Sequence, residues 1–180
     1  MKNKILVFTL LFILLNVFIN CNDSNIVEKI EPEAFNYETL YSIIESVNID
    51  FSHFPANYVW EGNINDPILD TERKINYGTI ITNATREIPN FNGKYRIVTL
   101  GYGSGAQYFF IIDLNNGNVY EGIQSTHGIK YTQDSSLIII NDPAVILENW
   151  REWDENIPNW VKIEYVLWEN DQFKNLLIVP

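Results

Sequence analysis

The second half of the chain is a succession of short apolar segments with a period of two, separated by residues that favour turns. Two separators are tight: Asn115-Asn116-Gly117-Asn118, where Asn and Gly tolerate positive φ, and Glu169-Asn170-Asp171-Gln172. Short strands that follow one another through such turns predict a meandering antiparallel sheet, twisted or partly closed. The predicted strands are residues 95–100, 107–114, 119–123, 129–133, 137–140, 161–168 and 173–178.

Two segments upstream have a helical rhythm instead. In residues 35–47 apolar side chains recur every three or four positions, which places them on one face of a helix. Residues 72–88 contain β-branched residues that would suit a strand, but their apolar spacing favours a helix that ends before Pro89. The two predicted stripes are Tyr37, Leu40, Tyr41, Ile44 and Val47, and Tyr77, Ile80, Ile81, Ala84 and Ile88. The sequence therefore predicts the α+β class, with about two helices packed on the sheet.

Residues 50–70 lie between these two helices and are rich in Pro, Gly, Asn and Asp. Such residues favour turns, so we expect an extended and irregular segment. Tyr58 and Trp60 are its large aromatic residues, and we expect them to hold the segment against the core.

The N-terminus has the organisation of a secretory signal. Lys2 and Lys4 precede an apolar stretch, residues 5–19, that is shorter than the ~20 residues a membrane-spanning helix needs. The stretch leads to Cys21, the only cysteine, in a sequence that resembles a lipobox although Asn20 stands where Gly, Ala or Ser is usual. We expect cleavage before Cys21 and acylation of its thiol; an ordinary signal peptide and a transmembrane anchor are the alternatives.

The expected organisation is a signal peptide at residues 1–20, a flexible tether at 21–34 after the lipidated Cys21, and one globular α+β domain at 35–180. Removal of residues 1–20 leaves 10 basic and 23 acidic residues, a net charge of −13. Such a charge repels nucleic acid, so a nucleic-acid partner is excluded. The expected location is the bacterial cell envelope, where several acyl chains on Cys21 hold the chain to a membrane.

The order of several motifs resembles a family of uncharacterised exported bacterial proteins. The matching stretches are residues 89–95 (PNFNGKY), 101–106 (GYGSGA), 111–113 (IID), 116–120 (NGNVY), 134–141 (DSSLIIIN) and 168–170 (WEN). They cover most of residues 51–178. The family's pattern runs roughly GPNFAGHY…WGCGxxCxxxxIIDxxTGxVY. The resemblance supports the fold and export, and it carries over no activity.

The chain departs from the family's pattern at three positions. The family's paired cysteines correspond to Tyr102 and Ala106, and its tryptophan corresponds to Leu100. The resemblance implies that the cysteine pair is structural in the family, where a bridge over so short a loop contributes less than the ~2–4 kcal/mol of a generic disulfide. In this chain we expect the glycine-rich turn to hold through its own geometry and the packing of Tyr102.

Other motifs that could carry chemistry have simple structural interpretations. Gly101-x-Gly-x-Gly105 suggests a phosphate loop, but a predicted strand follows it, whereas phosphate binding needs a helix N-terminus. His53 and His127 have no zinc-ligand spacing, so we expect neither a metal site nor a cofactor. Ser104, His127 and Asp134 could be combined into a catalytic triad, but no nucleophile elbow surrounds the serine.

Acidic and aromatic residues offer two further candidates. A pair of carboxylates across a cleft could support a hydrolase, although Asp113 and Asp142 are both placed to cap turns. Trp150, Trp153 and Trp160 lie among acidic and amide residues and could form a sugar-stacking or peptide-binding face. The alternative is a loop or short helix that folds these rings over one end of the sheet.

The leading hypothesis is a non-enzymatic envelope lipoprotein that serves binding or envelope structure, with a protein or glycan partner. The first alternative is an enzyme that acts on cell-wall or exported polymers through acidic residues, although no catalytic residue is assigned. The second alternative is an inhibitor or immunity partner of a secreted protein, since strong negative charge would speed association with a basic enzyme.

Overall fold

The structure is a computed structural model that describes residues 28–29, 37–101, 106–150 and 161–179. The helices in these ranges are α1 (Tyr37–Ser46), α2 (Thr71–Ala84) and α3 (Pro143–Trp150), with a 3-10 turn at Phe51–His53. The strands are β1 (Glu28–Lys29), β2 (Tyr95–Gly101), β3 (Gln107–Asp113), β4 (Val119–Glu121), β5 (Ile129–Tyr131), β6 (Leu137–Ile140), β7 (Ile163–Glu169) and β8 (Gln172–Val179).

The strands form two sheets. β2, β3 and β4 make a three-stranded antiparallel sheet in that order, and the other strands make a five-stranded sheet in the order β1-β8-β7-β6-β5. Neighbouring strands are antiparallel except β1, which pairs with β8 in parallel. Strands that follow each other in sequence pair throughout β2–β4 and β5–β8, which confirms the α+β class and the meandering antiparallel order. The meander passes from the first sheet to the second after β4, a division that the sequence did not predict.

The two sheets pack face to face and enclose a central core. Side chains alternate along each strand, so each sheet contributes one face to this core. The buried members are Phe91, Tyr95, Ile97, Phe109 and Ile111 on one side, and Ile138, Ile140, Val166 and Trp168 on the other. β6 is buried along its whole length, because its alternate residues contact this core and the helices behind the sheet. The result is a four-layer α–β–β–α sandwich.

α2 covers the outer face of the three-stranded sheet. The carboxylate of Asp70 caps the helix by accepting a hydrogen bond from the backbone N–H of Arg73 at 2.8 Å, and Glu72 in the first turn complements the helix dipole. The buried core under the helix consists of Ile81, Ala84, Phe110, Ile112, Leu114 and Val119.

The helix predicted at residues 72–88 is confirmed, but part of its apolar stripe is wrong. Ile81 is buried, whereas Ile80 is 40 % exposed and Ile88 is 65 % exposed. The helix ends at Ala84, so the position of Ile88 no longer follows the helical spacing.

α1 and α3 cover the outer face of the five-stranded sheet, where Leu40, Ile43 and Ile146 are buried. The predicted first helix is confirmed, although Tyr41 of its stripe is 45 % exposed. α3 was not predicted. Asp142 directly precedes the helix, and its carboxylate accepts a hydrogen bond from the N–H of Ala144 at 3.0 Å. The capping role expected for this aspartate in a turn is therefore observed at a helix start.

β1 lies within residues 21–34, the stretch predicted as a flexible tether, and its two residues pair with Leu177 and Ile178. The signal peptide and Cys21 lie outside the described residues. In the part of the chain that is described, no helix combines the length and apolar character needed to cross a bilayer.

Candidate functional site

The chain between α1 and α2 runs along the surface, and we call its residues 57–70 the acidic segment. Tyr58 packs against the core between the sheets. Trp60 and Leu69 pack against the core under α2. The predicted anchoring by Tyr58 and Trp60 is therefore confirmed.

Hydrogen bonds to the β3–β4 hairpin fix the position of the acidic segment. The side chain of Asn115 accepts from the backbone N–H of Glu61 at 3.0 Å and donates to the carbonyl of Val59 at 3.0 Å. The amide of Asn65 donates to the carbonyl of Leu114 at 3.1 Å and to that of Asn115 at 2.9 Å. These bonds join residues that are 49 to 56 positions apart, so the hairpin determines where the segment lies.

Two glycines allow the backbone of this segment to approach the sheet closely. Gly117 has a φ of 82° and accepts a hydrogen bond from the N–H of Ile68 at 2.8 Å. A Cβ on Gly117 would collide with the carbonyl oxygen of Asp66, and one on Gly93 would collide with that of Tyr58. Only glycine permits both approaches.

The surface around the acidic segment carries many carboxylates and few cations. Residues 30–72 contain nine Asp and Glu residues and no Lys or Arg. Four of them, Glu61, Asp66, Asp70 and Glu72, lie in the acidic segment or the first turn of α2, and all four are exposed. The nearest cations in sequence are Arg73, which pairs with Asp70 and Glu121, and Lys74.

Aliphatic side chains project from the same stretch into solvent. Val59 is 80 % exposed, Ile64 is 64 % exposed and Ile68 is 62 % exposed. Ile75, in the first turns of α2, is 78 % exposed. Among the described Val, Leu and Ile side chains, the only other one above 60 % is Ile88, at 65 %. Four of these five side chains therefore fall within residues 59–75, and exposed apolar groups that lie together are typical of an interaction surface.

An open groove of about 580 Å³ separates the end of the acidic segment from α2. Its walls are Asp66, Pro67 and Leu69 on the segment, and Lys74, Gly78, Thr79, Thr82 and Asn83 on the helix. A smaller pocket of about 180 Å³ lies between the start of α2 and strands β3 and β4, where Arg73 is 3.5 Å from Asp70 and 3.2 Å from Glu121.

A second polar cluster lies beside the core between the sheets. Asp113 is fully buried and accepts hydrogen bonds from Lys94 Nζ at 2.7 Å and from the N–H of Asn115 at 2.9 Å. The same ammonium lies 4.4 Å from the ring centre of Tyr58 and 4.9 Å from that of Tyr95, within cation–π range. The turn-capping role predicted for Asp113 is confirmed, and the pairing with Lys94 compensates for its burial.

Tyr95 also connects the two sheets. Its hydroxyl donates a hydrogen bond to Asp171 at 2.6 Å, in the predicted β7–β8 turn, where Asn170 and Asp171 have φ values of 51° and 61°. Burial, followed by the bond to Asp171, raises the pKa of Tyr95. The same two causes raise the pKa of Tyr120 to about 12. Both phenols therefore stay protonated near neutral pH and act as hydrogen-bond donors.

Trp168 is packed among these aromatic rings. Its ring centre lies 5.9 Å from that of Tyr95, 5.2 Å from that of Tyr120 and 4.8 Å from that of Phe173. Its carbonyl accepts a hydrogen bond from the amide of Asn92 at 3.2 Å. The indole N–H of Trp168 lies near the Tyr95 hydroxyl and partly offsets the causes that raise the pKa of Tyr95. No described residue accepts a hydrogen bond from this indole N–H in good geometry. Asn92, Tyr95, Tyr120 and Trp168, which belong to the motifs of the family resemblance, therefore contact one another or the core inside the protein.

The structure does not bring the proposed catalytic triad together. His127 and Asp134 lie beyond opposite ends of β5, on the order of 10 Å or more apart along the strand. The N–H of His127 donates to the side chain of Asn141 at 3.0 Å, and burial lowers the pKa of its imidazole. The carbonyl of Asp134 accepts from the N–H of Ala56 at 2.8 Å. Ser104 falls in a stretch that the structure does not describe.

The remaining sequence candidates have mixed outcomes. β2 ends at Gly101 and β3 follows antiparallel to it, so the glycine run joins two strands and no helix follows, as the turn interpretation expects. Trp150 is the last residue of α3, whereas Trp153 and Trp160 belong to residues 151–160, outside the described ranges. The binding face proposed for the three tryptophans stays a prediction.

Three of the carboxylates considered for a hydrolase make contacts within the protein: Asp113 binds Lys94, Asp142 caps the start of α3, and Glu121 pairs with Arg73. Asp113 and Asp171 both influence the phenol of Tyr95, but Asp113 is buried and bound to Lys94. Within the described ranges, no group of three or more His, Cys, Asp and Glu side chains is placed to hold a metal ion.

Neither a scan against protein-family models nor searches of curated proteins and of solved structures gives a match to this chain. The acidic segment and its groove are the features of the described structure from which a function can be inferred. Sequence reasoning did not single out this surface. The available signal was the long stretch without Lys or Arg, in which isolated Val and Ile residues stand among turn-forming residues.

Proposed function

We propose that this chain is a lipid-anchored envelope protein that binds a basic protein through the acidic segment and the first turns of α2. The leader and Cys21 support export and membrane attachment. The observation that carries the binding role is the set of four aliphatic side chains, each more than 60 % exposed, on a surface rich in carboxylates.

The exposed aliphatic groups provide a source of affinity. Val59, Ile64, Ile68 and Ile75 are largely in water, and complete burial of one such side chain contributes about 1.5–3 kcal/mol. The hydrogen bond that Asn115 accepts from Glu61 and the one that Asn65 donates to Leu114 hold the segment in one conformation before a partner arrives. Binding therefore orders little additional backbone, and more of the burial energy contributes to affinity.

The charge of the surface determines the kind of partner. Glu61 and Glu72 lie within three positions of an exposed aliphatic residue, and they attract a positively charged surface and speed its association. Nucleic acids and anionic lipid head groups carry negative charge and are repelled. A protein surface with an apolar centre and a Lys- or Arg-rich rim satisfies both features.

Photo-crosslinking in the producing bacterium tests this proposal directly. A photoreactive residue is placed at Ile64 or Ile68 of the full chain, with Ile88 as the control, because its exposure of 65 % matches the 64 % of Ile64. We expect one basic protein to be captured from positions 64 and 68 and not from position 88. Equal capture at all three positions, or capture of an acidic partner, would show that the surface has no such role.

The interaction is then measured with the captured protein. Ile64→Ser combined with Ile68→Ser should weaken binding by roughly 10- to 100-fold or more, since buried apolar anchors carry much of the energy of an interface. Ile88→Ser should leave the affinity unchanged. Raising the salt concentration from about 0.05 M to 0.5 M should slow association several-fold. Association that is independent of salt would contradict the role given to the carboxylates.

A further inference from the structure

The groove between the acidic segment and α2 differs in chemistry from the aliphatic surface beside it. Its polar side chains are a carboxylate, an ammonium, two hydroxyls and an amide: Asp66, Lys74, Thr79, Thr82 and Asn83. None of these side chains makes a hydrogen bond to another described residue. The groove therefore presents free donors and acceptors of several kinds in one concave space of about 580 Å³.

The glycine on the helical wall has no explanation within the protein. Gly78 lies in the middle of α2, where glycine destabilises a helix relative to alanine. A Cβ at this position would meet nothing closer than 3.7 Å from Lys74 Cγ and 4.0 Å from Leu69 Cδ1, which is ordinary contact. Packing inside the fold thus does not require glycine. A group from outside that approaches the helix backbone along the groove would require it.

We propose that this groove binds a short, uncharged, hydroxyl-rich ligand, namely an oligosaccharide. The charges of Asp66 and Lys74 cancel, which favours neither an anion nor a cation. The hydroxyls and the amide can each donate and accept, as sugar hydroxyls do. Leu69 and Pro67 supply an apolar wall for the C–H face of a sugar ring, and the volume lies within the ~300–1,000 Å³ of small-molecule sites.

Calorimetric titration of the full chain, purified in detergent micelles, tests this proposal with the trimer of N-acetylglucosamine and with a neutral glucose trimer as probes. Saturable binding of at least one trimer at about millimolar concentration or tighter is expected. A trialanine peptide should produce no saturable signal. Absence of saturation with both sugars, or equal binding of the peptide, would overturn the assignment.

Variants of the helical wall separate groove binding from effects on folding. Gly78→Ala and Gly78→Leu should both raise the thermal stability of the chain, since both residues favour a helix over glycine. Gly78→Ala places a methyl group where we expect the ligand to approach the helix and should weaken sugar affinity by about threefold or more, whereas Gly78→Leu places a larger side chain there and should weaken it by about tenfold or more. Thr82→Val, which keeps the shape and removes the hydroxyl, should also weaken it. Unchanged affinity in both Gly78→Leu and Thr82→Val would refute the site.

The groove and the aliphatic surface are tested independently. Ile64→Ser combined with Ile68→Ser should leave sugar affinity unchanged, because neither side chain lines the groove. Loss of sugar binding in that double variant would place the ligand on the aliphatic surface and overturn the groove assignment.

Discussion

Gly117 and Gly62 provide a matched test of how firmly the β3–β4 hairpin positions the acidic segment. Both have a φ of 82°, so alanine at either position must adopt a left-handed conformation at a cost of about 1–2 kcal/mol. At Gly62 the new Cβ meets no atom within 4 Å, whereas at Gly117 it collides with the carbonyl oxygen of Asp66. The difference in free energy of unfolding between the two variants therefore measures the cost of the collision with Asp66 alone.

The magnitude follows from the bonds that must yield. Movement of Asp66 away from the hairpin would disrupt the 2.8 Å bond from Ile68 to Gly117 and the bonds made by the Asn65 amide. Loss of about two net hydrogen bonds, each contributing about 0.5–1.5 kcal/mol, adds to the conformational cost. We expect Gly62→Ala to lower the free energy of unfolding by about 1–2 kcal/mol, and Gly117→Ala by about 2–5 kcal/mol.

Urea unfolding followed by tryptophan fluorescence measures both values on the same chain. The slope of the transition should be the same for the two variants, because the surface exposed on unfolding does not change. Equal destabilisation by the two substitutions would refute the reasoning, since it would mean that the segment yields to the added methyl group without cost.

Three further predictions concern the cores and the buried polar groups. Asp113→Ala removes the acceptor of Lys94 and of the Asn115 N–H from a fully buried site and should cost about 3–5 kcal/mol in urea unfolding, whereas Glu121→Ala at an exposed pair should cost less than about 1 kcal/mol. Ile81→Ala, at a buried position of α2, should cost about 2–5 kcal/mol, and Ile80→Ala on the neighbouring 40 % exposed position should cost clearly less; similar values would contradict the observed helix face. Burial raises the pKa of Tyr165 to about 12, and burial with the bond to Asp171 raises that of Tyr120 to about 12, above the ordinary value of 10.0, so their contribution to stability is complete below pH 10 and should be lost as the pH rises from 10 to about 12. Urea unfolding at each pH measures this loss, which Tyr165→Phe should reduce; a flat profile over that range would contradict it.

Local patterns in the sequence were sufficient for most elements of the fold. The strands from residue 95 onward and the helices near residues 37–46 and 71–84 follow from the spacing of apolar residues. α3 was not recognised because Asp142 and Pro143 were interpreted as a turn. The same two residues suit the cap and first position of a helix, and the apolar residues that follow are too few to distinguish the two cases.

The division into two sheets depends on contacts between distant residues. The apolar alternation in β3 shows that Phe109 and Phe110 face opposite sides, but it does not identify what covers each side. In the structure Phe109 lies in the core between the sheets, and Phe110 lies under α2. A sheet buried on both faces has the same sequence pattern whether its two faces are covered by helices or by one helix layer and a second sheet. The order of the layers therefore could not be predicted from the sequence.

The candidate surface was missed because a search for catalytic or metal-binding patterns favours His, Cys and clustered aromatic residues. The acidic segment contains none of these patterns. Its character results from exposed aliphatic residues such as Ile64 and Ile68, and their exposure is determined by hydrogen bonds to Asn115 and Gly117, about 50 positions later in the chain. No local pattern reports such distant bonds.

If the chain is exported as we propose, the order in which the layers occur along it affects how it reaches its native state. β2, β3 and β4 precede the strands that cover their inner face, and Val166 and Trp168 of β7 come near the end of the described chain. A polypeptide threaded through a translocation pore from its N-terminus cannot close the sandwich until β7 emerges. Closure of the core brings together side chains that are far apart in the chain, such as Tyr95 and Trp168, and contacts of this kind form slowly. Under the proposed export, this layer order would delay folding until the chain has crossed the membrane.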